Sequence, residues 1–146
     1  MEDNELGIWT EPSAVTIEQS HVDRFVEALG DRNPLYGNEE IAKTSVHGRL
    51  IAPPTFAITL PFNRLPGGTF DFTGMIHGEQ SFAYERPLYI GETIQLQSRL
   101  ASKNERKAGG MLMTFYVLEQ RGLDQDHRVI FTASMTVIRR VEVKSE

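Results

Sequence analysis

The side chains in this sequence that carry chemistry are few and widely spread. The segment Gly30-Asp31-Arg32-Asn33-Pro34-Leu35-Tyr36 gathers a carboxylate, a carboxamide and a phenol. Such groups can take part in proton transfer, in which one group removes a proton and another returns it, but their types alone do not require it. Asp31 can fill one of those roles. Tyr36 suits the other less well, because a free phenol has a pKa of about 10 against about 6.5 for an imidazole, and so is a poor base at neutral pH. An Asp that follows a helix-ending Gly and precedes Asn-Pro is also a common turn former, and from the residues alone both roles stay open. Asn33 reads as a turn-stabilising residue.

The chain has four histidines. His21 falls in the first turn of a helix and His127 in a polar turn, where solvated side chains are expected. His47 lies in the loop leading to Ala52-Pro53-Pro54, and His77 opens a strand; a lone loop or strand-end His is usually structural, although either imidazole can act as an acid or base. The chain has no cysteine, which excludes disulfides, thiolate metal sites and cysteine nucleophiles. No pair of residues has metal-ligand spacing, and neither a Gly-x-Ser-x-Gly elbow nor a phosphate loop is present.

The elements that must position these residues change character midway. Val22, Phe25, Val26 and Leu29 recur with helical spacing, with Ser20 as the expected N-cap, Asp23 in the first turn and Gly30 as the stop. A short helix is expected over about 38–44. From Pro53-Pro54 an apolar run through Phe56, Ile58, Leu60 and Phe62 reads as a buried helix entered through prolines and interrupted near Pro61. A loop follows at Pro66-Gly67-Gly68-Thr69. Beyond it the period changes to that of strands. These run over Glu79–Glu85, from Thr93 to Leu100, over Met111–Leu118 as a central strand apolar on both faces, and over Val129–Val137, with turns at Ala108-Gly109-Gly110 and Asp124-Gln125-Asp126. Helices followed by consecutive hairpin-linked strands indicate α+β with an antiparallel sheet. The Pro53–Leu65 segment is the best candidate for a helix that such a sheet could wrap.

The 146 residues suffice for one ordinary domain, placed at 13–146 behind a flexible acidic end at 1–12, although Ile8 and Trp9 are apolar enough to dock on the body. A net charge of −5 argues against nucleic acid or an anionic membrane as the main partner. The acidic start differs from a signal peptide, and no run approaches the roughly 20 apolar residues of a membrane span, so a cytoplasmic location is expected.

Three further motifs stand at set distances from the first. They are Asn38-Glu39-Glu40-Ile41-Ala42, Gly48-Arg49-Leu50-Ile51-Ala52-Pro53-Pro54-Thr55-Phe56, and His77-Gly78-Glu79-Gln80-Ser81-Phe82-Ala83-Tyr84 followed by Arg86-Pro87-Leu88. With Gly-Asp-x-Asn-Pro-Leu they resemble the MaoC-like (R)-specific hydratase/dehydratase group, in particular its N-terminal dehydratase-type branch. The resemblance covers about 20–140. It implies a hot-dog fold, an antiparallel sheet wrapped around a long central helix, in a dimer-like unit of two such folds. It also implies a substrate carried as a thioester on coenzyme A or acyl carrier protein, reversible water addition across a 2-enoyl thioester, and no further cofactor.

Two departures from the group's pattern bear on the chemistry. Active members pair the Asp with a His five residues later; here Asp31 matches, but Tyr36 stands at the His position. Active members also present a Gly backbone N–H to the thioester carbonyl near the start of the central helix. The matching residue is Pro54, which has no N–H, leaving Thr55 as the substitute donor at a helix N-terminus. The resemblance thus gives Asp31, Tyr36, His77 and His47 as catalytic candidates. Asn33, Pro54, Thr55, Phe56, Phe70 and Phe72 are the substrate-facing candidates, with Gly67–Phe72 as a lid. Arg49, Arg86 and Lys107 are candidate phosphate partners.

Three functions fit. One is a dehydratase or hydratase subunit that shapes the acyl tunnel beside a His-bearing hot-dog partner. The second is a self-sufficient homodimer using Asp31 with Tyr36, His47 or His77. The third is a non-catalytic acyl-thioester binding module. A hot-dog thioesterase fits less well, since 53–65 carries no carboxylate.

Overall fold

A computed structural model describes residues 6–66, 68 and 70–143. Its framework is a five-stranded antiparallel sheet in the order β1-β3-β4-β5-β2. The strands are β1 (Ser13–Thr16), β2 (Ile76–Tyr84), β3 (Thr93–Ala108), β4 (Met111–Leu123) and β5 (Val129–Glu142). The expected central strand is the middle one, β4. It pairs on both sides along nearly its whole length, which is why its sequence is apolar on both faces.

Helix α1 (Gln19–Leu29) follows β1, and Gly30 ends it in the left-handed conformation (φ 70°), with its N–H on the Glu27 and Val26 carbonyls. The N-cap is Glu18 rather than Ser20, which lies within the first turn. Helix α2 (Glu39–Thr44) is capped by the Asn38 side chain on the Ile41 N–H.

The largest difference from expectation lies at the centre. Residues Pro54–Thr59 form a single short 3₁₀ segment that ends at Leu60 in extended backbone, not a long α-helix. Consecutive prolines at its entry and Pro61 just beyond it bracket the run, so few residues can propagate backbone hydrogen bonds. The hydrophobic roof over the sheet is therefore shared. The largest fully buried side chain, Phe131, lies in a cluster with Val22, Tyr36, Ile51, Phe56, Ile94 and Leu96, against which Phe25 and Val26 pack. A second cluster of Leu65, Leu100, Leu118 and Val137 is covered by Phe62, Phe70, Met75 and Tyr116.

The N-terminal end is partly tied down. Residues 1–5 lie outside those described, but Gly7 and Thr10 donate backbone bonds to Leu100 and Ser98 at 2.8 and 2.9 Å. Trp9 is gripped between the guanidinium groups of Arg99 and Arg121, each 4.2 Å from the ring centroid. Strand β1, which the sequence pattern did not indicate, extends this attachment along β3. Among the described residues no helix is long and apolar enough to cross a membrane.

Candidate functional site

Strand alternation orders the concave face into rows. Gly122, Phe131 and Tyr84 are neighbours across β4, β5 and β2, and the next row is Ser98, Gln120, Ala133 and Phe82. Leu118, Met135 and Gln80 follow, then Tyr116, Val137 and, past a bulge at His77/Glu79, His77. The first row lies under the roof formed by Tyr36 and Phe56. Gly122 is required there, since a Cβ would stand 2.4 Å from Cε1 of Phe131.

Beyond the first row the face is open. A groove of about 380 Å³ runs along the later rows, floored by Leu118, Ala133, Met135 and Val137 and walled by Ala57, Ile58, Leu60, Phe62, Phe72 and Met75. From Phe82 to His77 it follows the strand for roughly 17 Å at about 3.3 Å per residue. Its polar groups are few: His77, Gln80 and Gln120.

Asp31, Asn33 and Tyr36 come together at the turn after α1. The Asn33 N–H donates to Asp31 Oδ1 at 3.0 Å, and the Leu35 N–H donates to Asn33 Oδ1 at 3.0 Å, opening the 3₁₀ turn Pro34–Tyr36. Asp31 and Asn33 thus do turn-forming work at the surface. Tyr36 is only 8% exposed and belongs to the core cluster. Burial and, next, the Asp31 charge push the phenol pKa above its usual value, while a bond with the Asn33 side chain pulls the other way. Tyr36 is therefore fully protonated at neutral pH, a hydrogen-bond donor and not a base.

The remaining candidates separate. His47 is half-buried after α2, its N–H on Ser45 Oγ at 3.2 Å, and no hydrogen bond joins it to Asp31 or Tyr36 among the described residues. Pro54 and Thr55 are exposed at the start of the 3₁₀ segment. The first bond there is Phe56 N–H to the Pro53 carbonyl at 2.9 Å, so the Thr55 N–H precedes the helical ladder. Phe56 turns away from the groove and packs edge-to-face on Phe25 at 5.6 Å. Phe72 lines the groove, with Phe70 behind it on Tyr116 at 5.1 Å. The expected lid falls partly on Gly67 and Thr69, which lie outside the described residues. Arg86 is engaged by Glu92 through two 2.9 Å bonds, and it and Arg49 flank the Tyr89 ring, each 4.5 Å from the centroid. Lys107 lies far along β3, opposite Leu112.

Three residues that position the groove were not singled out from the sequence. Tyr84 donates to the Pro54 carbonyl at 2.5 Å, anchoring the 3₁₀ segment to β2. Burial pushes its pKa up to about 12. Asn63 Nδ2 donates to Thr10 Oγ1, the Glu11 carbonyl and the Leu96 carbonyl, and its N–H to Ser98 Oγ, so it ties the groove's outer wall to β3 and the N-terminal segment. Gln120 holds the Pro61 carbonyl at 2.7 Å. A strand extended past Leu118 at period two turns Gln120 inward, the one signal that would have found it.

This arrangement, a sheet roofed by a short proline-entered segment with an apolar groove beside it, is the hot-dog fold of MaoC-like hydratases and dehydratases. A model described as "FAS1-like, dehydratase domain region" matches residues 4–133, and the chain belongs to that family. It is 36% identical over 107 residues to a UPF0336 protein of Parafrankia sp., an alignment spanning 68% of this chain and 70% of that protein. Among solved structures it is similar to a chain of the HadBC (3R-hydroxyacyl-ACP dehydratase) complex of Mycobacterium tuberculosis. That match has a TM-score of 0.77 and 19% identity, and covers 95% of this chain and all of that one. It is also similar to a chain of the ChsH1-ChsH2 complex of the same organism, with a TM-score of 0.74 and 18% identity over 94% of this chain and 86% of that one.

Proposed function

We propose that this chain is an acyl-thioester dehydratase/hydratase-type subunit that holds the acyl chain in its groove and works beside a second, His-bearing hot-dog chain. The observation that carries this reading is the division within the site. The groove is well formed and apolar, whereas the turn that should supply the acid–base pair offers Asp31 beside a phenol whose pKa is raised.

Water addition to an enoyl thioester needs a base poised near neutral pH, a proton for the α-carbon and a donor to the thioester oxygen. Asp31 Oδ1 is already used by the Asn33 N–H, Tyr36 holds its proton, and Pro54 offers no N–H. The chemistry then falls to the partner, and this chain supplies desolvation and orientation of the tail. Complete burial of an acyl tail contributes about 0.8 kcal/mol per methylene, so the groove accounts for chain selection. The acyl group arrives on coenzyme A or acyl carrier protein, and the reaction needs no cofactor.

Support for a hot-dog partner comes from the two similar structures, both of which are complexes of more than one chain type. The test is to express the chain alone and together with a hot-dog protein bearing Gly-Asp-x-Asn-Pro-x-His, then assay hydration of a crotonyl-type thioester. Activity that requires the pair supports the reading. A fully active, stable homodimer of this chain contradicts it.

A further inference from the structure

A single layer of chain separates the groove from a second cavity. Leu60 leaves the 3₁₀ segment in extended backbone, and beyond it alternate residues serve opposite sides. Leu60 and Phe62 line the groove. Pro61 and Asn63 line a cavity of about 760 Å³, bounded elsewhere by Trp9, Thr10 and Pro12 of the N-terminal segment. Phe62 lines this cavity as well, and is the one described residue common to both.

A wall with empty space behind it yields to a broad ligand unless something holds it. Here the residues on either side of Phe62 are both pinned. The Pro61 carbonyl accepts from Gln120 Nε2 at 2.7 Å. Asn63 donates its N–H to Ser98 Oγ at 3.1 Å, and its Nδ2 to the Leu96 carbonyl at 2.8 Å, the Glu11 carbonyl at 3.1 Å and Thr10 Oγ1 at 3.2 Å. Its Oδ1 accepts from Ser13 Oγ at 3.1 Å. Moving Phe62 back breaks several of these bonds at once, where unmade bonds in partly buried surroundings are costly. The ring itself meets Phe72 edge-to-face, with centroids 6.3 Å apart.

We infer that Phe62 is a specificity-determining partition that restricts the groove to narrow, straight acyl chains. The second cavity is the space that a broader chain enters once the ring is removed. This inference rests on the acyl-groove reading above and adds to it a limit on chain width.

The test is calorimetric titration of the full-length protein with two coenzyme A thioesters of one medium chain length. One tail is straight and saturated; the other carries a cyclohexane ring in its middle. Both bury comparable apolar area, so without a fixed wall they bind about equally. The wild-type protein is expected to bind the straight chain at least about fivefold more tightly, the smaller end of the cost of overpacking. In Phe62→Ala the preference is expected to fall to within about twofold. Phe62→Leu, a smaller change to the packing, is expected to lower it in the same direction. Trp9 is the chain's only tryptophan and lines the second cavity, so its emission reports a ligand arriving there. The ring-bearing thioester is expected to shift that emission in Phe62→Ala, and the straight one to leave it unchanged in the wild type.

Equal or tighter binding of the ring-bearing chain by the wild-type protein overturns the inference without needing any variant to fold. A preference that persists in the variants, including parallel weakening of both ligands, overturns it too and leaves Phe62 a packing residue. A relaxed preference in Phe62→Ala with unmoved Trp9 emission overturns it as well, since the groove has then widened elsewhere. Failure of both thioesters to bind the wild-type protein defeats the groove reading itself, and the inference with it.

Discussion

The hydrogen bond from Tyr84 to the Pro54 carbonyl fastens the 3₁₀ segment to the sheet, and replacing Tyr84 with Phe removes that bond while keeping the ring against Phe82 and Phe131. Pro54 is exposed, so water can reach the freed carbonyl, and the cost at neutral pH should be about 0.5–1.5 kcal/mol. A second consequence appears in alkali. Burial raises the folded pKa of Tyr84 to about 12, against about 10 in the unfolded chain. The native state therefore keeps the proton longer, and the stability that this contributes is complete below about pH 10 and lost as pH rises through about 12. The gap corresponds to at most about 2.7 kcal/mol, and discounting for the part of the ring that meets solvent leaves about 1–1.5 kcal/mol. Urea unfolding of wild type and Tyr84→Phe, from about pH 9 to about pH 12, isolates this contribution, because every other titrating group is common to both. The two stability curves should converge by about 1–1.5 kcal/mol as pH rises. Curves that stay parallel across the window would refute the assignment of a buried, carbonyl-bound phenol.

Gly122→Ala should destabilise the protein by about 1–3 kcal/mol in denaturant unfolding, because the new Cβ meets the fully buried Phe131 ring at 2.4 and 2.9 Å and Ile94 at 3.2 Å. A wild-type midpoint would show that the ring is free to move. Asn63→Ala removes the donors to Thr10, Glu11 and Leu96 and should cost about 2–4 kcal/mol, with faster amide exchange at Thr10 and Ser98. Unchanged protection at those two amides would show that the N-terminal segment is held by Trp9 and β1 alone.

Much of the fold was legible because it rests on local signals. Gly30 had to stop α1, and the alternating and doubly apolar runs of β3, β4 and β5 fixed which strand lies at the centre. What was not legible depends on tertiary partners. Strand β1 is short and mostly exposed, and it is set by its pairing with Ile94 and its neighbours, not by its own pattern. The apolar run from Phe56 to Phe62 reads as a buried helix, but the prolines around it limit backbone bonding to one short 3₁₀ stretch. In the site, motif spacing picked out the turn in which Asp31 and Asn33 are hydrogen-bonded ahead of Tyr36. It could not reveal that Phe56 faces the core or that Gln120 and Asn63 hold the groove wall, since those roles arise from residues distant in sequence.

The division of labour proposed for the chain turns on whether it can hydrate an enoyl thioester unaided. The most direct measurement is the turnover of a crotonyl-type thioester by the purified, folded chain, repeated after addition of a hot-dog protein carrying the complete Asp and His pair. The expected result is background turnover alone and a marked rise in the mixture, beyond that of the partner by itself. Full activity of the isolated chain that is abolished by Asp31→Ala would contradict it.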